Sequence, residues 1–176
     1  MRIGTRGSAL ALAQARWVAE RLDGAELVPI RTSGDEGAGS ASGPGDKSRF
    51  VREIERALLQ GEVELAVHSA KDVPGELPEG LELTGVPERE EPADAWVGAA
   101  GALEEVPEGA RVGTASLRRR SQLLALRPDL EVVGLRGNVD TRLRRLDEGE
   151  LDGIVLAAAG LHRLGRDERI SFRFDL

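Results

Sequence analysis

The sequence predicts an α/β fold of two small lobes, each a mostly parallel sheet flanked by helices. Three observations carry that expectation. Short apolar runs such as "VELAV" and "GIVLAAA" alternate with stretches of helical periodicity, the pattern of strands joined through helices. The joints between them are short, which suits parallel strands covered by helices. The chain also changes character at "PEREEP" (87–92), a charged break followed by "DAWVGA", so residues 1–92 read as a first lobe and 93–176 as a second.

In chain order, "RIGT" is a short strand and "SALALAQARWVAERL" a helix with Leu10, Ala13, Trp17 and Val18 on one side. "AELVPIR" is the second strand. Residues 33–48 hold five glycines and almost no apolar side chains, which predicts a lid or a disordered loop. Helical periodicity resumes in "RFVREIERALLQ" through Phe50, Ile54 and Leu58. "VELAVHS" and "LELTGV" read as strands, and "DAWVGA" as extended chain. The second lobe continues with strand "RVGT", helix "SLRRRSQLLAL", strand "LEVVGLR", helix "NVDTRLRRLDE", strand "GIVLAAA" and helix "GLHRLG".

Composition bounds the function. With 40% hydrophobic and 31% charged residues, the 176-residue chain has the make-up of a folded globular protein. No apolar run approaches the roughly 20 residues that cross a bilayer. Met1 leads straight into "RIGT" without an apolar leader, so no membrane partner and a cytoplasmic location are expected. No cysteine is present, which removes disulfides, thiolate metal sites and a cysteine nucleophile from this sequence. His68 and His162 alone do not make a metal centre. An aromatic content of 3% and a net charge of −7 argue against nucleic acid.

The charge is uneven. Between Arg111 and Arg145 stand nine arginines against Asp129, Glu131 and Asp140, a surplus of six positive charges in an acidic protein. A basic segment in an acidic chain points to an anionic ligand, the alternative being a solvated helical face. In open parallel sheets, ligands collect beyond the carboxyl ends of the strands. The joints there are "TRGS" (5–8), "HSAKD" (68–72), "TASLRRR" (114–120) and "LRGN" (135–138), each with a cation and a small polar residue. Ser8, Ser116 and Asn138 are the expected N-caps. Cations at a helix N-terminus oppose its dipole, so these arginines and Lys71 make sense if an anion sits between them and the amides. No P-loop or nucleotide fingerprint is present. Asp72 is the odd acid in this basic setting: it either caps its own turn or stabilises positive charge on a ligand.

Here the chain resembles the porphobilinogen deaminase (hydroxymethylbilane synthase) family. The stretches that carry the resemblance are "RIGTRGSALALAQA", "AVHSAKDVP", "PEREEPADAWV", "VGTASLRRRSQL", "RPDLEVVGLRGNVDTRLRRLDEGELDGIVLAAAGLHRLG" and, more loosely, "FVREIERALL". The resemblance implies two lobes like those of type II periplasmic binding proteins with an active-site cleft between them. It implies an enzyme of tetrapyrrole and haem biosynthesis, a transferase that joins four porphobilinogen molecules into hydroxymethylbilane and releases ammonia. Porphobilinogen and linear polypyrroles are then its partners. Each pyrrole carries an acetate and a propionate, and the carboxylates would be held by Arg6, Ser8, Thr114, Ser116, Arg118, Arg119, Arg136, Arg142 and Arg163, assisted by Lys47, Ser69 and Lys71. Asp72 and Lys71 would be the catalytic residues, Asp72 as the carboxylate that accepts from pyrrole N–H groups and stabilises the cationic azafulvene left when ammonia departs.

The chain also departs from the family pattern. Members carry a third domain whose cysteine holds a dipyrromethane cofactor through a thioether, and this sequence has no cysteine. A truncated or split form is therefore expected, lacking one strand of the first sheet, partnered by a separate third-domain polypeptide and otherwise monomeric. The loop "GDKSRF" departs from the relatives' Gly-Gly-Lys-Gly-Leu-Phe around Lys47, and His162, which stands where relatives have lysine, is expected to be structural. The competing reading is a non-catalytic two-lobed binding protein for a polycarboxylate.

Overall fold

The computed structural model describes residues 1–33 and 51–174. The chain forms two compact units, Met1–Pro87 and Glu88–Leu176. The first contains β1 (Arg2–Arg6), α1 (Ala9–Ala19), β2 (Glu26–Ile30), α2 (Arg52–Leu59) and β3 (Leu65–Ala66). Its three strands run parallel in the order β2-β1-β3, with Ile3 opposite Leu27 and Leu65. β1 is buried on both faces at Ile3, Gly4 and Thr5, and Ile3 packs on the α1 side against Ala15, Ala19 and Leu27. On the other face Gly4 lets Val63 and Ile54 close in: a Cβ there would stand 3.0 Å and 3.3 Å from their side chains. Among the described residues β2 is an edge strand, and it carries Pro29, a residue that sheets accept at edges.

The second unit contains β4 (Asp94–Gly98), β5 (Arg111–Gly113), α3 (Leu117–Leu126), β6 (Glu131–Val133), α4 (Val139–Asp147), β7 (Gly153–Ala157), α5 (Ala158–Arg163) and β8 (Phe172–Arg173). The sheet order is β6-β5-β7-β4-β8; β6, β5 and β7 are parallel, while β4 is antiparallel to both β7 and β8. Both faces are covered, so the strands read as continuous apolar runs. Ala95, Val97, Ile154 and Leu156 face Leu143 and Leu161 of α4 and α5. Trp96, Val112, Val132 and Val155 face Leu123 of α3. Each valine, leucine or isoleucine among them contributes about 1.5–3 kcal/mol when fully buried. Phe172 of β8 stacks on Trp96 with centroids 5.7 Å apart, and Phe174 meets Phe172 edge-on at 5.2 Å.

Several sequence expectations need correction. "LELTGV" (81–86) is not a strand: it is irregular, with Leu83 and Val86 exposed, because no neighbouring strand among the described residues offers it a ladder. α1 buries Ala15 and Ala19, and Trp17 lies outside with the Arg21 guanidinium 3.6 Å above its ring. The small alanines let the helix sit close to the sheet, which a tryptophan would prevent. β8 falls in "ISFRFDL", where the sequence reading assigned no element. Residues 34–50, with the glycine-rich loop, Phe50 and Lys47, lie outside the described residues. No helix among the described residues is long and apolar enough to cross a membrane.

Gly153 is the tightest point of the second core, since a Cβ there would run into the Trp96 ring from Cζ2 to Cε2. Ring and strand are both buried, so neither can give way. Gly153→Ala is expected to destabilise the protein by about 1–3 kcal/mol. A denaturant titration checks this: the midpoint falls and the slope is kept.

Candidate active site

In the first unit the residues singled out by sequence meet at the end of the parallel sheet. Arg6 closes β1, and Ser8 caps α1 by accepting from the Ala11 amide at 3.3 Å. A serine hydroxyl that accepts from one amide still carries a proton of its own to donate. After β3 the chain turns through a single 3₁₀ turn, Ala70–Asp72, closed by the Asp72 amide donating to the Ser69 carbonyl at 2.8 Å. Val73 is then extended, as the residue before Pro74 must be. Ser69 Oγ donates to Gln14 Oε1 at 3.0 Å, tying the turn to α1.

These residues line a pocket of about 40 Å³: Arg6, Ser8, Gln14, His68, Ser69 and Asp72 supply its polar wall, and Leu10, Ala11 and Val67 the rest. Its balance is one carboxylate among donors. Lys71 is exposed on the same turn and is not part of that wall. Burial pushes the His68 imidazole below its ordinary pKa of 6.5; Asp72 opposes the shift and Arg6 adds to it.

The second unit gathers the other group. Thr114 follows β5, is buried, and its Oγ1 accepts from the Ser116 amide at 3.2 Å. Ser116 caps α3 by accepting from the Arg119 amide, and Asn138 caps α4 by accepting from the Thr141 amide. All three sequence-expected caps are therefore present. Arg118 and Arg119 both bond to Asp94, the first residue of β4, at 2.7 Å and 2.8 Å. Burial would raise the Asp94 carboxyl, and the hydrogen bonds and charges of Arg119 and Arg118 outweigh it and hold it below the ordinary value. Arg142 Nε donates to the Gly137 carbonyl at 2.8 Å. Arg136 and Arg163 are exposed.

Much of the arginine surplus is spoken for. Arg120 donates to the Val132 carbonyl, Arg127 to Asp129 and the carbonyls of Leu103 and Val106, and Arg145 to Glu150. Arg111 lies 3.5 Å from Glu131 and Arg144 4.0 Å from Glu148. His162 is exposed and its Nδ1 lies 3.3 Å from Asp167. Sequence reasoning missed Gln14 and Asp94. Gln14 shows itself only once β3 is docked beside β1. Asp94 has one visible signal, an acid opening an otherwise apolar strand.

Among the described residues no cluster of His, Cys, Asp or Glu could hold a metal ion. Taken unit by unit, the residues suit the groups a dipyrromethane brings: in the second unit Arg119 Nε is buried without a hydrogen-bond partner among the described residues and suits a carboxylate, and in the first unit Asp72 is the one carboxylate of its pocket and suits a pyrrole N–H. These 176 residues offer no thiol for a thioether link, since they include no cysteine.

Comparison with known proteins follows the same line. The family described as porphobilinogen deaminase, dipyromethane cofactor binding domain, matches residues 1–176. Porphobilinogen deaminase of Syntrophus aciditrophicus is 52% identical over 179 residues, covering 97% of this chain and 58% of that protein. That of Thermus thermophilus is 54% identical over 175 residues, covering 96% of this chain and 57% of that protein. The chain thus spans rather more than half the length of these relatives. In fold it is similar to the periplasmic VFT2 domain of Bordetella pertussis BvgS, with a TM-score of 0.52 at 15% identity, covering 100% of this chain and 76% of that one.

The lowered His68 pKa fixes a pH dependence of stability. A histidine that binds its proton less readily when folded favours the folded state above the unfolded value of 6.5, and that contribution is lost as pH falls through the folded value. Between about pH 7.5 and about pH 5, the melting temperature of the wild type should fall more than that of His68→Gln. Parallel slopes for the two proteins would contradict the assignment.

Proposed function

The chain belongs to the porphobilinogen deaminase family, and from that premise we propose that it is the ligand-holding, acid-bearing part of a hydroxymethylbilane synthase. The observation that supports this most is Asp72, a single carboxylate in a small pocket whose other polar groups are mainly donors. Porphobilinogen offers a matching pattern: two carboxylate arms, one ring N–H and one aminomethyl group.

In this reading Arg6 and Ser8 of the first unit bind ligand carboxylates, with Ser69 and Lys71 assisting. Thr114, Ser116, Arg118, Arg119, Arg136, Arg142 and Arg163 do so in the second. Lys47 is proposed from sequence alone. Guanidinium groups suit the task because their planar fork pairs with both oxygens of a carboxylate. Asp72 accepts from the ring N–H. When the C–N bond of the aminomethyl arm breaks and its nitrogen leaves as ammonia, the methylene stays on the ring as a cationic azafulvene, and the fixed carboxylate is already in place for that charge. Removing such a preorganised group costs about 3–4 kcal/mol of barrier stabilisation in comparable sites.

A bound dipyrromethane supplies the pyrrole α-carbon to which substrate rings are added. Arg118, Arg119 and Ser116 of the second unit are the residues that would hold its carboxylates, without a covalent link from these 176 residues. A monomeric state and a cytoplasmic location complete the proposal.

Calorimetry with porphobilinogen tests it. Wild type should bind, and Asp72→Asn should weaken binding about tenfold to a hundredfold, the worth of a hydrogen bond to a charged group. Arg142→Ala should weaken it as well. Identical isotherms for all three proteins would sink the site assignment. These 176 residues alone should make no chromogenic tetrapyrrole, and steady production without added protein would overturn the expectation that turnover needs a cysteine they do not carry.

A further inference from the structure

Neighbouring residues on an α-helix project about 100° apart, so Arg118 and Arg119 do not face one ligand by helix geometry alone. Asp94 removes the divergence. Its Oδ2 accepts from Nη2 of Arg118 at 2.7 Å and its Oδ1 from Nη2 of Arg119 at 2.8 Å. The two arginines are held differently. The Arg119 side chain is 12% exposed, donates through Nη1 to the Val155 carbonyl at 3.2 Å, and keeps a buried Nε without a partner among the described residues. Arg118 is 60% exposed, and its Nη1 donates to Gln122 Oε1 at 2.7 Å.

Resting on the reading that these arginines hold ligand carboxylates, we propose that Asp94 is a positioning residue which locks Arg119 as a buried anchor and steers Arg118, the exposed member, toward the ligand. Asp94 acts through the arginines and does not itself touch the ligand. Its own position is secured twice. β4 pairs with β7 so that Asp94 lies opposite Ala157, and the Asp94 carbonyl accepts from the Phe174 amide at 2.9 Å. Without the acid, two guanidinium groups at the start of a helix repel each other and the helix's amide end. With it, the trio carries one net positive charge, which one carboxylate arm neutralises.

The test is a calorimetric titration of porphobilinogen, and separately of succinate, into the 176-residue chain. The proteins are wild type, Asp94→Asn, Asp94→Glu, Arg118→Ala and the double variant of Asp94→Asn with Arg118→Ala, with melting temperatures recorded alongside. Asp94→Asn should weaken both ligands about tenfold through lost preorganisation. Asp94→Glu keeps the charge and moves the oxygens, so it should weaken them too. Once Arg118 is alanine, Asp94→Asn should have much less left to remove, and the two losses should fall short of adding.

A lowered melting temperature with unchanged affinities would make Asp94 purely structural and overturn the proposal. Tighter binding in Asp94→Asn would overturn it as well, because that marks a carboxylate competing with the ligand. Succinate following the expected pattern while porphobilinogen fails to bind would leave the positioning role standing and remove the proposed function. If neither ligand binds wild type, both fall. Should Asp94→Asn not fold, Asp94→Glu and Arg118→Ala decide the matter.

Discussion

Parallel strands impose one constraint from which the rest of the second unit follows. Because β5, β6 and β7 run the same way, their carboxyl ends share one edge of the sheet, and the helices that follow begin there with their amides pointing outward. Thr114, Ser116, Arg136 and Asn138 are neighbours of that edge for this reason alone. β4 runs the other way, so its first residue lies where its neighbours' last residues lie, and Asp94 stands opposite Ala157 at the end of β7. An antiparallel strand thus delivers an acid to an edge that parallel strands stock with helix N-termini and arginines.

That placement changes the meaning of the arginine count. Read along the chain, the segment from Arg111 to Arg145 has six more cations than acids. Read in space, most of those guanidinium groups meet an acid or a backbone carbonyl of their own unit: Asp94, Asp129, Glu148 and Glu150, or the carbonyls of Val132, Leu103 and Gly137. Exposed pairs of this kind contribute little each, about 0–1 kcal/mol. The pair that matters is the largely buried one between Asp94 and Arg119, where the acid's pKa is held down against its own desolvation. The first unit reverses the arrangement, with one acid, Asp72, in a wall that includes Arg6, Ser8 and Gln14.

Local rules made much of this legible in the sequence. The caps at Ser8, Ser116 and Asn138 were readable because a small polar residue before an apolar repeat answers a purely local need for amide partners. The helices after them and the buried strands of the second unit follow from periodicity for the same reason. What stayed hidden depends on pairing between distant segments. "LELTGV" has the composition of a strand and no ladder, whereas Phe172–Arg173 is only two residues long and becomes a strand because β4 offers an edge. Trp17 looks like core on a helical wheel, yet α1 approaches the sheet through Ala15 and Ala19. Asp94 and Gln14 are ordinary residues until topology sets them beside Arg119 and Ser69.

Pro29 bears on how the first sheet can grow. A strand flanked on both sides must offer amides in both directions, and proline has none to offer, which is why sheets confine it to their margins. β2 is therefore an end stop, and any polypeptide that lengthens this three-stranded sheet has to approach from the flank of β3.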